Sequence, residues 1–405
     1  MKNYGPILAA ATISRLLLNS LRRIPYAIMS DLAAALGVPR QTVELSLSLQ
    51  WAAGLLSPLF ASAIDHTGRK RLMLIALAVF TILAGSGAIA SLVGMAAGVV
   101  LALIVLSEAS KVLYDPAMTA YISEYTPIHR RGFAVGVTEL AWSGSLVIFA
   151  PIAAYIIGLN SSLPRVALLL ALITACGAVG FVLIWRIMPD DSARRVVSAE
   201  KPRPNWNLLF SNRSALMLLV ATAGLSMAGE IIGVGYEAWF KSSFNLAVGE
   251  LGTLALFISG AELIGEFAVV FFADRIGRRN MTLIAMFGCA IFSVLLPLMG
   301  NSVVGAIAML VGVFVGFESG IVAVISLATD VLPSARGTMM TSLIAALAGS
   351  RAIATLLGGA ILRSGGYLVS GITAFTLLTL ATIILWRFVP EIRHTAIIQS
   401  AGSSE

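Results

Sequence analysis

Eleven ionisable side chains interrupt the long apolar runs of this 405-residue chain: Arg22, Arg23, Glu108, Lys111, Asp115, Glu139, Glu230, Glu262, Glu266, Glu318 and Arg351. A charge in apolar surroundings is costly and persists where it meets a partner, a water-filled cavity or a ligand. Two chemistries suit the set. Arg22, Arg23, Lys111 and Arg351 are fitted to hold an anionic group. The carboxylates Glu230, Glu262, Glu266, Glu318 and Glu139 are fitted to load and release a proton, because burial disfavours an ionised carboxylate. Glu108, Lys111 and Asp115 stand at i, i+3 and i+7, so they share one helix face and Glu108 joins the binding set. Glu262 and Glu266 are four residues apart and repel if both are ionised. Asn19, Tyr26, Gln50, Trp142 and Tyr236 would complete a binding surface, although each type also serves ordinary packing. The competing account is structural: Lys111 is neutralised by its helix neighbours, and Arg22 or Arg23 by Glu139 or a carboxylate of the other half. Spacing leaves both accounts open.

The elements that carry these residues are membrane spans. The chain is 58% hydrophobic and 12% charged, where soluble domains carry about 25% charged residues. Twelve apolar segments are each long enough to cross a bilayer, at 6–34, 42–64, 72–92, 95–122, 132–158, 166–188, 214–240, 250–272, 281–300, 303–328, 338–361 and 367–389. With the N-terminus placed in the cytoplasm, eighteen of the 27 Lys and Arg fall on that side and four outside: Arg40, Arg165, Lys241 and Arg363. This positive-inside bias puts both termini in the cytoplasm. It also accounts for the net charge of +7 without nucleic acid. The first segment is too long for a signal peptide and carries Arg22 and Arg23 at its centre. Cys176 and Cys289 lie inside spans and suggest neither a disulfide framework nor a metal site. No cofactor, metal or enzymatic activity is expected, and the phosphate-binding loop of an ATP-driven pump is missing from the sequence.

The chain also repeats itself. A polar linker at 190–213 separates two six-span bundles, 1–189 and 214–405. Asp65-His-Thr-Gly68-Arg69-Lys-Arg after span 2 returns as Asp274-Arg-Ile-Gly277-Arg278-Arg-Asn after span 8. Glu124-Tyr-Thr-Pro127 with Arg131 returns as Asp330-Val-Leu-Pro333 with Arg336. Trp185-Arg186-Ile-Met-Pro189 returns as Trp386-Arg387-Phe-Val-Pro390. Three matches in order, with nearly constant spacing, indicate duplicated halves. The Asp-x-x-Gly-[Arg/Lys]-[Arg/Lys] loops resemble the signature loop of the major facilitator superfamily, and the resemblance covers nearly the whole chain. It implies an all-α fold of twelve transmembrane helices in two pseudo-symmetric bundles, in the bacterial inner (plasma) membrane. The expected partners are a small-molecule substrate, protons and the lipid bilayer, with the carrier a monomer. It further implies that spans 1, 2, 4, 5, 7, 8, 10 and 11 line a central cavity, and all eleven buried charges fall on those spans. Asp65, Gly68, Arg69, Asp274, Gly277, Arg278, Arg131 and Arg336 are expected to form a cytoplasmic latch: glycine for a tight turn, arginine for a carboxylate partner.

Cargo and direction are less legible. Span 5 keeps Pro151 but lacks the glycines often found there in drug exporters of the family, and no Arg stands between Ile104 and Glu108 in span 4. The leading expectation is proton-coupled export of an amphiphilic organic anion or zwitterion. Import of a small organic acid or sugar comes second. A transport-inactive sensor or assembly factor comes third.

Overall fold

The computed structural model describes residues 4–60, 68–126, 131–161, 163–190 and 206–391. Among them every regular element is helical. The helices are α1 (Gly5–Leu36), α2 (Arg40–Ala52, continued as a 3₁₀ turn over Ala53–Phe60), α3 (Arg69–Leu92), α4 (Ala97–Ala109), α5 (Lys111–Tyr125), α6 (Arg131–Gly158), α7 (Arg165–Ile187), α8 (Trp206–Ser211), α9 (Arg213–Phe244), α10 (Val248–Ile276), α11 (Arg278–Leu295), α12 (Val303–Val331) and α13 (Arg336–Phe388). All backbone polar groups of a span must be satisfied within the bilayer, and a helix does this locally. Nine helical runs among the described residues are long and apolar enough to cross a membrane.

The twelve expected segments map onto these helices with four adjustments. Span 1 is α1, whose four charges (Arg15, Arg22, Arg23 and Asp31) keep it out of the nine. Span 2 is α2 with its 3₁₀ continuation to Phe60, which is not among the nine, and its residues 61–64 lie outside the described residues. Span 4 is α4 and α5, separated at Ser110. Spans 11 and 12 form one run, α13, broken at Gly366 (φ 71°, ψ −178°). The expected linker contains the short helix α8 and ends as α9 begins.

Helix ends follow local chemistry. Gly37 (φ 67°) closes α1: its N–H donates to Ala34 O at 3.1 Å and the next N–H to Ala33 O at 3.0 Å. Ser302 caps α12, its hydroxyl accepting from Gly305 N at 3.1 Å. Within α1, Pro25 removes one hydrogen-bond donor and Ile28 departs from helical geometry (φ −140°, ψ 30°), so the helix bends there.

Packing divides the chain into two compact units. The first joins Met1–Lys201 with Glu230–Gly260 and Arg351–Tyr367; the second joins Pro202–Gly229, Ala261–Ser350 and Leu368–Glu405. The first unit therefore takes in parts of α9, α10 and α13. In the second unit α11 and α12 approach closely: a Cβ on Gly316 would lie 2.9 Å from both Ala285 O and Cys289 N.

Candidate functional site

One face of α1 in the first unit carries a polar group every turn: Arg15, Asn19, Arg22, Tyr26 and Ser30. At 1.5 Å per residue this ladder covers about 22 Å, most of a hydrocarbon core of about 30 Å. Nearly every rung leads to a carboxylate. Arg15 Nη1 lies 2.7 Å from Glu139 and its Nε 3.5 Å from Asp115. Asn19 Oδ1 accepts from Lys111 Nζ, which lies 3.8 Å from Asp115. Arg22 Nε lies 2.9 Å from Glu108. The Tyr26 hydroxyl donates to Glu230 Oε1 at 2.7 Å, and the Ser30 hydroxyl to Glu237 Oε2 at 2.9 Å.

These contacts revise one expected pairing. Glu139 pairs with Arg15, a cation missed in the sequence, while Arg22 takes Glu108, which is fully buried. Lys111 does find Asp115 on its own helix. Asn19 orients the pair of helices by also donating Nδ2–H to Ala141 O at 3.1 Å.

In the middle of the ladder three guanidinium groups gather on two indole rings. Arg22 lies 4.6 Å and Arg351 4.5 Å from the centre of Trp51; Arg23 lies 4.5 Å and Arg351 5.7 Å from that of Trp142. The two indoles are 5.9 Å apart. A guanidinium laid on an aromatic face keeps its N–H groups pointing sideways, where they can fork around an oxyanion. Trp51 also reaches the acid: its Nε1–H donates to Tyr26 Oη at 2.8 Å. Thr355 donates to Glu230 Oε1 at 2.8 Å. Arg22, Arg23, Glu230 and Arg351 are each at most 9% exposed.

A second buried cluster occupies the end of this unit that charge bias assigns to the outside. Arg40 lies 3.1 Å from Glu44 and 2.5 Å from Glu237, and donates to Val234 O at 2.5 Å. Arg363 reaches Glu44 at 2.6 Å, and Lys241 reaches Asp31 at 2.5 Å. Glu44 and Glu237 are 1% and 0% exposed. Three of the four basic residues counted as external are thus held in ion pairs. Glu44 and Glu237 carry a signal in the sequence as well. Glu44 stands four residues after Arg40, and Glu237 two turns after Glu230 on the same face.

The three duplicated motifs meet in each half. Arg69 pairs with Glu124 and donates to Ala120 O at 3.4 Å; Arg278 pairs with Asp330 at 2.9 Å and donates to Ser326 O at 3.4 Å. Lys70 donates to Trp185 O at 3.0 Å and Met188 O at 2.5 Å, and Arg279 to Trp386 O at 2.7 Å and Val389 O at 2.5 Å. Gly68 and Gly277 precede these basic residues with φ of 90° and 89°, a conformation that side chains with a Cβ rarely adopt. Each half therefore braces its third and sixth spans with its own copy of one device.

The remaining expected residues are dispersed. Gln50 turns its side chain to an apolar crevice lined by Leu21, Ile24, Leu101 and Ile173, and only its backbone carbonyl meets Arg22, at 3.1 Å. Tyr236 is buried further along α9, next to Tyr367. Glu262, Glu266 and Glu318 are buried in the second unit, where Gly265 of α10 packs on Glu318 of α12 and accepts from the Ser319 hydroxyl at 3.1 Å. Asp65 lies outside the described residues, as do the side chains of Arg131, Asp274 and Arg336.

Apolar helices of this length and number, with buried charges among them, define a multi-pass membrane protein. The family model of the Major Facilitator Superfamily matches residues 11–317 and 218–403. This chain belongs to the major facilitator superfamily, and it is a transporter, not an enzyme. No curated protein matches it in sequence. Among solved structures it resembles a D-xylose-proton symporter (TM-score 0.77, 17% identity, covering 95% of this chain and 98% of that one). It also resembles the xylose transporter XylE from E. coli in a partially occluded inward-open conformation (TM-score 0.76, 15% identity, covering 96% and 99%). At these identities the likeness concerns the fold.

Proposed function

We propose that this carrier couples uptake of a small organic acid anion to entry of a proton. The observation that carries the reading is the group of three guanidiniums on Trp51 and Trp142, gathered in the unit that holds Glu230. A sugar site needs paired donors and acceptors for hydroxyls; guanidiniums stacked on indole faces offer donors only, in the fork that suits an oxyanion. Arg351 and Arg23 are the anion-binding groups in this reading, Trp51 and Trp142 fix their planes, and Glu230 carries the proton. Arg22 holds Glu108, and the Arg15–Glu139 and Lys111–Asp115 pairs keep the lower ladder neutral. Uptake is favoured over the export expected first, because the fold neighbours are named as proton symporters of xylose.

Purified carrier in liposomes, given an acidic exterior and a panel of labelled monocarboxylates with xylose as control, tests this. Accumulation of a carboxylate that collapses when the pH gradient is dissipated is expected, with no accumulation of xylose. Accumulation insensitive to the gradient, or of xylose alone, would overturn the proposal. Accumulation driven only by an acidic interior would point to export.

A further inference from the structure

Thr355, one turn after Arg351 on α13, touches the acid in a way the transport reading does not use. Its Oγ1 lies 2.8 Å from Glu230 Oε1 and 2.8 Å from the carbonyl oxygen of Arg351. A hydroxyl carries a single hydrogen, so it can donate to only one of these two acceptors at a time. We infer that Thr355 is a positioning residue that reads the protonation of Glu230 and reports it to α13 beside Arg351.

The two arrangements follow from counting hydrogens. With Glu230 ionised, its carboxylate is the stronger acceptor and takes the Thr355 hydrogen as well as that of Tyr26. When a proton from water binds Glu230, the new O–H must find an acceptor. The Tyr26 oxygen already donates to Glu230 and accepts the Trp51 N–H. Thr355 Oγ1 is within reach, and it accepts once its own hydrogen turns to the Arg351 carbonyl. One proton enters, one hydroxyl rotates, and no covalent bond between heavy atoms changes. Glu230 then loses the negative charge that faces Arg351, so arrival of the proton and readiness for an anion are coupled.

The charged and titratable groups facing Glu230 are Tyr26 and Arg23 from α1 and Arg351 from α13, with Trp51 of α2 reached through Tyr26. None of them offers the hydroxyl of Thr355, with its lone pairs and its alternative acceptor.

The inference rests on Glu230 as the proton carrier, and its test is independent of any transported solute. Infrared difference spectra of the full-length purified carrier, titrated with pH, follow the carboxylic acid C=O band of Glu230, with Glu230→Gln as the blank. Thr355→Val removes the donor to the carboxylate and the acceptor of the acid. A hydrogen bond to a charged oxygen is worth more than one to a neutral oxygen, so the midpoint is expected about one pH unit above the wild type. Thr355→Ser, which keeps the hydroxyl, should restore the wild-type midpoint. Equal midpoints in wild type and Thr355→Val, or a Thr355→Ser shift as large as that of valine, would overturn the inference. A wild-type spectrum without a titrating Glu230 band would instead remove the proton-carrier assignment. If the valine variant does not elute as a folded carrier, Thr355→Ala provides the same comparison with less crowding.

Discussion

Replacing Arg40 by alanine is the most demanding perturbation of the Arg40–Glu44–Glu237 cluster. Arg40 is one residue serving two buried acids, Glu44 at 3.1 Å and Glu237 at 2.5 Å. Glu44 keeps Arg363 at 2.6 Å after the change. Glu237 keeps only the Ser30 hydroxyl at 2.9 Å and a long contact to Ser30 N at 3.4 Å. Removing one partner of a buried pair leaves an uncompensated charge and costs about 3–5 kcal/mol. Nearly all of that cost falls on Glu237, so a second change can recover it. Glu237→Gln in the Arg40→Ala background removes the charge and should return more than half of the loss. Lys241→Ala, whose pair is partly exposed, sets the scale of an ordinary ion pair at about 0.2–1 kcal/mol. Denaturant unfolding of the purified carrier in mixed micelles provides all four free energies. A loss below 1 kcal/mol for Arg40→Ala, or no recovery in the double variant, would refute the reasoning.

Other expectations follow from the same contacts. Arg22→Ala should destabilise the carrier by about 3–5 kcal/mol, because Glu108 is wholly buried, and Glu108→Gln should rescue folding in the same unfolding assay. Trp51→Leu removes the face under Arg22 and Arg351, and at about 1 kcal/mol or more per contact it should raise the KM for the transported anion at least tenfold. Gly277→Ala forces a Cβ into a positive-φ turn at a cost of about 1–3 kcal/mol, seen as a lowered midpoint of unfolding. A transported organic acid should raise the thermal midpoint of the detergent-solubilised carrier, and xylose should leave it unchanged.

Much of the frame is legible in the sequence. Apolar length places the helices, and the duplicated Gly-Arg turns, acidic span ends and Trp-Arg-x-x-Pro segments mark residues that meet within each half. Charge inside an apolar run likewise pointed to Arg22, Glu108, Lys111, Glu230 and Arg351. The same rule applied evenly would have included Arg15, two turns before Arg22. Partners were the part sequence could not supply. Arg15 chooses Glu139 from 124 positions away, and Arg40 chooses Glu237 from 197, and no local spacing encodes such pairings. Trp51 carries no mark in the sequence that sets it apart from an indole packed among apolar neighbours. Its role here depends on two cations brought to it from α1 and α13.

The ladder on α1 also bears on how the protein is made. α1 carries Arg15, Arg22, Arg23 and Asp31, and is not among the runs apolar enough to settle in lipid by composition. Its counter-charges emerge late: Glu108, Asp115 and Glu139 with α4 to α6, and Glu230 and Glu237 only with α9. At about 5–20 residues per second of synthesis, roughly 10–40 seconds separate Arg15 from Glu230. During that interval α1 must be sheltered by the insertion machinery or rest at the membrane surface. Its final place in the bilayer is then set by helices that do not yet exist when it leaves the ribosome.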